Sequence, residues 1–284
     1  MLSITALLTI YNRRESTISC LHSLANQQGA GHQFALRVIV LDDGSTDGSS
    51  NAIRREFASD FVEVIKGPGD LFWARGMALA HSAAIATGPD AIIWVNDDVK
   101  LDADAVARAV AAMGATDHQA IVVGATKQAS GDSITYTGAR LRSSRPGSLA
   151  PVFPTDELLP VDAFNGNFVA IPRNVYHALG PVDARYEHAY GDIDYGLRAR
   201  AEGISSYLLP GTVGICERNG PEGTWRDARL RRHERVASLV GRKGYPPRSH
   251  WLFNRNHGGA MAPLYFSATY ARALSSILLG KEVA

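Results

Sequence analysis

The sequence predicts an α/β protein with a mostly parallel sheet and helices on both faces, and three observations carry that expectation. Short apolar runs alternate with longer stretches of helical spacing through the first half of the chain. Those runs are apolar at nearly every position, as in strands buried on both faces. Two of them end in adjacent acidic residues, Asp42-Asp43 and Asn96-Asp97-Asp98.

The elements follow in order. Residues 4–9 read as the first strand, and Ile18, Leu21 and Leu24 mark a helix after it. Residues 36–41 (LRVIVL) form a second strand, 47–57 a helix and 61–65 a short strand. Residues 71–86 are a long Ala-rich helix, 91–95 (AIIWV) a strand, 102–113 a helix and 120–125 a strand. This βαβ order argues for the parallel sheet. The second half is less regular. Residues 133–141 alternate like one antiparallel strand, and 142–160 hold four prolines and Gly147 and read as a loop. Residues 167–171 and 207–210 are short strands, and Pro172 suits a helix start, with a further helix over 191–201. From Trp225 onward three helices are expected, broken at Pro246-Pro247 and Gly258-Gly259.

Composition narrows the function. The chain has 284 residues, 45% of them hydrophobic and 20% charged, which excludes disorder, collagen and coiled coil. A net charge of +1 carries no sign of a nucleic-acid binder. Cys20 and Cys216 form neither a CxxC pair nor a disulfide framework, which fits a reducing cytoplasm. No apolar stretch approaches the ~20 residues of a spanning helix, and the apolar N-terminus lacks a basic leader, so the expectation is a soluble, non-secreted protein.

In open α/β sheets, ligands bind beyond the carboxyl ends of the strands. Two carboxylates at the end of a buried strand need cations, and Mg²⁺ or Mn²⁺ takes one or two carboxylates plus substrate phosphates. A cap for the helix near Asp102 is the alternative for Asp97 and Asp98. The run Asp42-Asp43-Gly44-Ser45-Thr46-Asp47 reads either as turn and cap chemistry or as a carboxylate that accepts a hydrogen bond from a base or ribose. Thr9 and Tyr11 close the first strand at the same edge, where a tyrosine ring can stack on a base.

Four motifs stand in the order and spacing of family 2 glycosyltransferases: Thr9-Ile10-Tyr11-Asn12-Arg13, the Asp42–Asp47 run, Asn96-Asp97-Asp98 and Tyr190-Gly191-Asp192-Ile193-Asp194. The chain resembles that family over about residues 3–215. Its rhamnosyltransferase-like bacterial members look most similar, through Leu71-Phe72-Trp73-Ala74-Arg75-Gly76-Met77 and the stretch that runs on from Asp192 to Arg198. The resemblance implies a GT-A fold: a Rossmann-like sheet flanked by helices, with a small antiparallel portion. It implies a nucleotide-diphosphate sugar donor, dTDP- or UDP-linked and rhamnose by the nearest likeness, and inversion at the anomeric carbon. Thr9, Tyr11 and Asp43 would hold the nucleoside, Asp97 the ribose or donor sugar, Asp98 an Mn²⁺ or Mg²⁺ ion, and Arg75 phosphate. Asp192 would be the general base. Asn165 and Gly166 would lie between donor and acceptor, with a plain β-turn as the alternative, and His188 and Tyr190 would line the acceptor pocket. The acceptor would be a glycan or lipid-linked glycan.

The chain also departs from the family pattern. It has Gly76 where many members have Asn, and Gly191 where many have Glu before the base. Where many supply a metal-binding His it has Cys216-Glu217, which leaves Glu217 or the distant His233 as a further ligand. Asp192 and Asp194 point to different sides of one helix, so only one faces substrate, and an ion pair with Arg198 is the plain reading of Asp194.

The expected organisation is a catalytic domain over 1–215, with a nucleotide-binding half (1–125) and an acceptor-side half (126–215), then a helical extension over 216–284. Between 217 and 255, ten Arg/Lys face four acids. That is mostly a solvated face, or else an attraction to pyrophosphate or anionic headgroups. Leu264, Phe266, Tyr270, Leu274, Ile277 and Leu278 stand at helical spacing, suited to core packing, a homodimer contact or peripheral attachment at the inner membrane face. Two rival functions fit less well. A nucleotidyltransferase shares the layout, but no Gly-rich phosphate loop follows the first strand. A non-catalytic sugar-nucleotide-binding protein would not need both Asp98 and Asp192.

Overall fold

The computed structural model describes residues 1–242 and 244–279. Its main sheet grows from β1 (Leu2–Ile10), α1 (Arg14–Ala25), β2 (Phe34–Asp42), α2 (Ser49–Glu56), β3 (Val62–Lys66), α3 (Phe72–Thr87) and β4 (Ala91–Val95). It continues through β5 (Lys100–Leu101), α4 (Ala105–Ala115) and β6 (Ile121–Lys127). A short-stranded region follows: β7 (Ile134–Tyr136), β8 (Gly138–Leu141), β9 (Leu149–Pro151), β10 (Leu159–Val161), β11 (Ala163–Phe164) and β12 (Phe168–Pro172). The chain then runs through α5 (Arg173–Leu179), α6 (Gly191–Ala201), β13 (Ser206–Ile215), α7 (Arg232–Val240), α8 (Pro247–His257) and α9 (Ala262–Leu278).

The strand order is β10-β13-β6-β12-β4-β1-β2-β3. Strands β1, β2, β3 and β4 pair in parallel, and β6 pairs in parallel with β13. Reversed β12 lies between β4 and β6, so those two also point the same way. The carboxyl ends of six strands therefore share one edge. A three-stranded sheet, β11-β8-β9, forms the small antiparallel portion.

Period-two alternation explains why the strands read as unbroken apolar runs. In β1, Ala6, Leu8 and Ile10 face a core layer with Cys20, Leu21 and Leu24 of α1, while Leu7 faces Met77 and Ala78 of α3. α3 ends at Gly88, whose φ of 64° gives the left-handed turn that glycine tolerates.

The second half departs from expectation in three places. Residues 133–141 do not form one strand: the chain breaks at Thr137, so β7 pairs with β6 of the main sheet and β8 enters the small sheet. The proline-rich 142–160 segment is not all loop, because β9 and most of β10 lie within it. Pro160 is accommodated because β10 is an edge strand, where a missing N–H costs no ladder bond. Pro172 ends β12 and caps α5 rather than entering it.

The three C-terminal helices appear where the proline and glycine breaks place them. Ala273 and Ile277 of α9 pack with Leu239 of α7 and with Trp225. The Tyr270 hydroxyl donates to the Tyr245 carbonyl at 2.6 Å. Much of the basic excess is bound locally: Arg229 pairs with Asp227, Arg231 with Glu234, and buried Arg235 donates to the Trp225 carbonyl. Among the described residues no helix is long and apolar enough to cross a membrane. Lys243 and residues 280–284, parts of the basic segment and the tail, lie outside the described residues.

Candidate active site

At the carboxyl edge of β4, Asp97 and Asp98 meet a cation that follows β1. Arg13 Nη1 lies 3.2 Å from Asp97 Oδ1, and Nη2 lies 2.8 Å from Asp98 Oδ2. The bend that aims it is local. Asn12 has a φ of 51°, a left-handed conformation that asparagine tolerates, and its Oδ1 accepts from the Thr46 amide at 2.7 Å. Asp97 is buried, and burial pushes its carboxyl up to about 7 against the pull of Arg13. Its Oδ2 is buried with no hydrogen-bond partner.

A chain of hydrogen bonds fixes the floor of this site. Trp73 Nε1 donates to Asn96 Oδ1 at 2.8 Å, and Asn96 donates to Asn167 Oδ1 at 3.0 Å. Asn167 Nδ2 lies 3.3 Å from Cys216 Sγ, which in turn lies 3.5 Å from Asp98 Oδ1. β4, the start of β12 and the end of β13 are thereby joined at the aspartates. None of Arg13, Trp73, Asn167 and Cys216 stands out in the sequence as a site residue. The available signals are that Arg13, Trp73 and Cys216 stand within the quoted motifs and that Arg13, Asn167 and Cys216 lie just outside a strand end at the same edge.

The nucleoside candidates are placed unequally. Tyr11 projects at the edge, 55% exposed. Thr9 turns its hydroxyl under α3, where Oγ1 is buried without a partner and a side chain on Gly76 would collide with it. Gly76, one of the departures from the family pattern, therefore lets α3 lie close on β1. Asp43 is buried and organises a loop: Oδ1 accepts from the Gly69 amide, and Oδ2 from the Leu71 and Phe72 amides, each at 2.9 Å. These three bonds make the carboxylate the anchor of the 67–72 loop and leave about one acceptor site of the carboxylate unused. Asp42 is likewise engaged, by the Ser45 amide and the Ser50 hydroxyl. Arg75 pairs with Glu187, at 3.5 Å, and donates to the Ala184 carbonyl at 3.4 Å.

The acidic helix α6 separates its two aspartates. Asp194 is fully buried and saturated: Tyr186 Oη lies at 3.0 Å, Arg198 Nε at 2.9 Å and His257 Nε2 at 2.7 Å. Burial raises its carboxyl, but those partners prevail and hold it below the ordinary range. Asp192 has only backbone partners, the Gly166 amide on Oδ2 at 3.0 Å and the Ile193 amide on Oδ1 at 2.9 Å. Burial raises its carboxyl above the ordinary range, and the two amides do not offset it. Gly166 is thus tied to Asp192, and a side chain there would strike the Trp73 ring. Asn165 is half-buried beside it and His188 is exposed. Tyr190 turns from the opening: its hydroxyl meets His250 Nδ1 at 2.8 Å and its ring stacks on Phe253 with centroids 4.7 Å apart.

The donor set fits a hard divalent cation. Two carboxylates, one with an unpartnered buried oxygen, match an ion that completes its shell with phosphate and water. Asp98, the expected ligand, would hold it, and the unpartnered oxygen of Asp97, a residue expected at the ribose or donor sugar, would add Asp97 to the set. Glu217 and His233 do not join them. Glu217 accepts from the Ala129 amide at 2.9 Å, and His233 is exposed on α7. Among the described residues no group of three or more His, Cys, Asp or Glu forms.

A parallel sheet with acidic strand ends facing a half-buried aspartate at a helix start is the framework of a GT-A glycosyltransferase. The model of "Glycosyl transferase family 2" matches residues 5–166, more than half of the chain, and the chain belongs to that family. Among solved structures it is similar to the mannosyltransferase PcManGT from Pyrobaculum calidifontis, in complex with GDP-Man and Mn²⁺. That likeness has 19% identity and a TM-score of 0.58, and covers 98% of this chain and 73% of the other. It is similar to GalNAc-T7 with UDP, GalNAc and Mn²⁺ (13% identity, TM-score 0.62, 98% and 55% covered). It is also similar to TarS of S. aureus (14% identity, TM-score 0.59, 98% and 49% covered). The chain spans about half the length of the last two. At these identities the likeness shows the fold. No curated protein matches the chain.

Proposed function

We propose that the protein transfers a sugar from a nucleotide-diphosphate sugar to a hydroxyl of a glycan or lipid-linked glycan, with inversion and with Asp192 as general base. The contrast between the two aspartates of α6 carries this reading. Asp194 is consumed by three partners, whereas Asp192 has no cation against it, and its raised affinity for a proton suits general-base work. Asp192 accepts the proton of the acceptor hydroxyl as that oxygen bonds to the anomeric carbon. The bond from that carbon to the diphosphate breaks on the opposite face, releasing the nucleoside diphosphate. Gly166 keeps the carboxylate aimed, and Trp73 holds the Gly166 loop against α3.

A divalent ion held at Asp97 and Asp98 would neutralise charge on the departing diphosphate. The Mn²⁺ complexes of PcManGT and GalNAc-T7 support that assignment, and their GDP-Man and UDP support a nucleotide donor. A dTDP- or UDP-sugar, rhamnose among the candidates, remains our expectation for the donor. The C-terminal helices are read as a self-association surface in preference to a peripheral attachment to the inner face of a membrane. A thermal-shift screen of nucleotide sugars with and without Mn²⁺ tests the donor reading, since a ligand that binds only the folded state raises Tm. Donor hydrolysis without acceptor then separates an enzyme from a binding protein. A screen in which no nucleotide diphosphate shifts Tm would sink the proposal.

A further inference from the structure

We propose that Arg13 is a displaceable counter-cation: it occupies the Asp97–Asp98 pair in the free protein and leaves it when a divalent metal and a diphosphate arrive together. This rests on the metal reading above.

The backbone at Arg13 is fixed. Its carbonyl accepts from the Thr17 amide at 3.0 Å and the Ser16 hydroxyl at 3.1 Å, and Asn12 is anchored to the 45–47 turn. Its side chain is not enclosed: 46% of it is exposed, although its guanidinium spans both carboxylates. Solvent reaches the guanidinium, so it can leave the carboxylates for another anion without crossing the protein interior. One guanidinium leaves the pair with a net negative charge, and Asp97 Oδ2 without a partner. A divalent ion alone would have to expel Arg13 into solvent or share the pair with it, which gives three positive charges against two negative. A diphosphate removes that conflict. It adds negative charge beside the metal and offers the planar guanidinium a bidentate phosphate partner at the same edge. Metal and diphosphate should therefore promote each other's binding, through Arg13.

The test is Mn²⁺ binding to the full chain, followed by the electron paramagnetic resonance signal of free Mn²⁺, with and without UDP, and with GDP and dTDP in parallel. Wild type, Arg13→Ala, Arg13→Lys and Asp98→Asn are compared. Without nucleotide, Arg13→Ala should bind Mn²⁺ about tenfold more tightly than wild type, with Arg13→Lys between them. The gain in Mn²⁺ affinity caused by nucleotide should shrink in Arg13→Ala. Thermal melting keeps the result independent of folding yield: Mn²⁺ alone should raise the Tm of Arg13→Ala more than that of wild type. If wild type with nucleotide binds Mn²⁺ through Asp98 but Arg13→Ala binds the bare ion no better than wild type does, the counter-cation proposal is wrong and the metal reading survives. If no protein binds Mn²⁺ through Asp98 with any of the three diphosphates, the metal reading fails and takes this proposal with it.

Discussion

His257 Nε2 lies 2.7 Å from Asp194 Oδ1, and this contact ties the C-terminal helix α8 to the helix that carries Asp192. Two positions along α6, Asp192 has no hydrogen bond or ion pair with a side chain of that layer among the described residues. The same helix is thus clamped through Asp194 and holds Asp192 by backbone amides alone.

That asymmetry predicts opposite phenotypes for two similar substitutions. Asp192→Asn keeps the shape and can still accept from the Gly166 amide, so folding and donor binding should persist while kcat falls at least about a hundredfold, the low end of general-base effects. Asp194→Asn strips the counter-charge from Arg198 and His257 in a buried site, and should cost on the order of 3 kcal/mol of stability. Its kcat, measured on folded protein, should fall less than that of Asp192→Asn. Denaturant melts paired with single-turnover kinetics give both numbers, and a reversed ranking of kcat would move the base to Asp194.

Much of this arrangement was legible in the sequence, for a physical reason. Strands buried on both faces announce themselves as continuous apolar runs, so β1, β2, β4 and β6 were placed within about two residues. The acidic strand ends were visible because carboxylates there break an apolar run. The short edge strands β9 and β10 were not, since Pro151 and Pro160 mask a pairing that depends on partners distant in sequence. The loop-anchoring bonds of Asp43 are hidden too: its partners are amides of the 67–72 loop, which no side-chain pattern encodes. Arg13 carries no signal of its own beyond the motif it stands in, because its partners lie 84 and 85 residues away.

Loss of Asp98 should act on the metal-dependent part of donor affinity. Asp98→Ala should abolish transfer and erase the difference in nucleotide affinity measured with Mn²⁺ and with EDTA. In wild type that difference should be present. Full activity of Asp98→Ala at saturating donor would place the metal elsewhere.

Acid should weaken the attachment of the C-terminal layer. Burial, with a smaller push from Arg145, lowers the buried His250 to about 4 from its ordinary value near 6.5. A depressed histidine means that folding favours the neutral ring. Above about pH 6.5 both states are neutral and the contribution is whole; as pH falls from 6.5 to 4 only the unfolded chain takes up the proton, and stability declines. The loss is on the order of 3 kcal/mol when complete. Asp97, raised to about 7, works in the opposite sense over part of the same window, stabilising the fold as pH falls. The comparison that isolates His250 is therefore wild type against His250→Leu. The variant should be less stable at pH 7, having lost the Tyr190 hydrogen bond, but its Tm should fall less between pH 6.5 and 4.5. Parallel Tm curves would remove His250 from the acid response.

The exposed face of α9 carries the last prediction. Leu264, Leu274 and Leu278 are 56%, 38% and 62% exposed, and with Ala271 they lie along one side of the helix. Ile277, one of the positions expected to serve core packing or a homodimer contact, is buried in the chain's own core with Ala273, Leu239 and Trp225. A helix–helix contact between copies therefore has to use the exposed leucines rather than the Ala273–Ile277 side. Deleting residues 263–284 would also remove Phe266, Tyr270 and Ile277 from the packing around His250 and Trp225, so truncation should lower Tm as well as any self-association. Point changes avoid that confusion. Leu264→Glu, Leu274→Glu and Leu278→Glu together should leave Tm and nucleotide binding close to wild type, because none of the three is buried. Light scattering of wild type should show an assembly larger than 30.5 kDa that the triple variant loses, with little dependence on salt. Flotation with anionic liposomes that weakens as salt rises would indicate a membrane contact instead. A wild-type chain that is monomeric and does not float would leave this face without the role assigned to it.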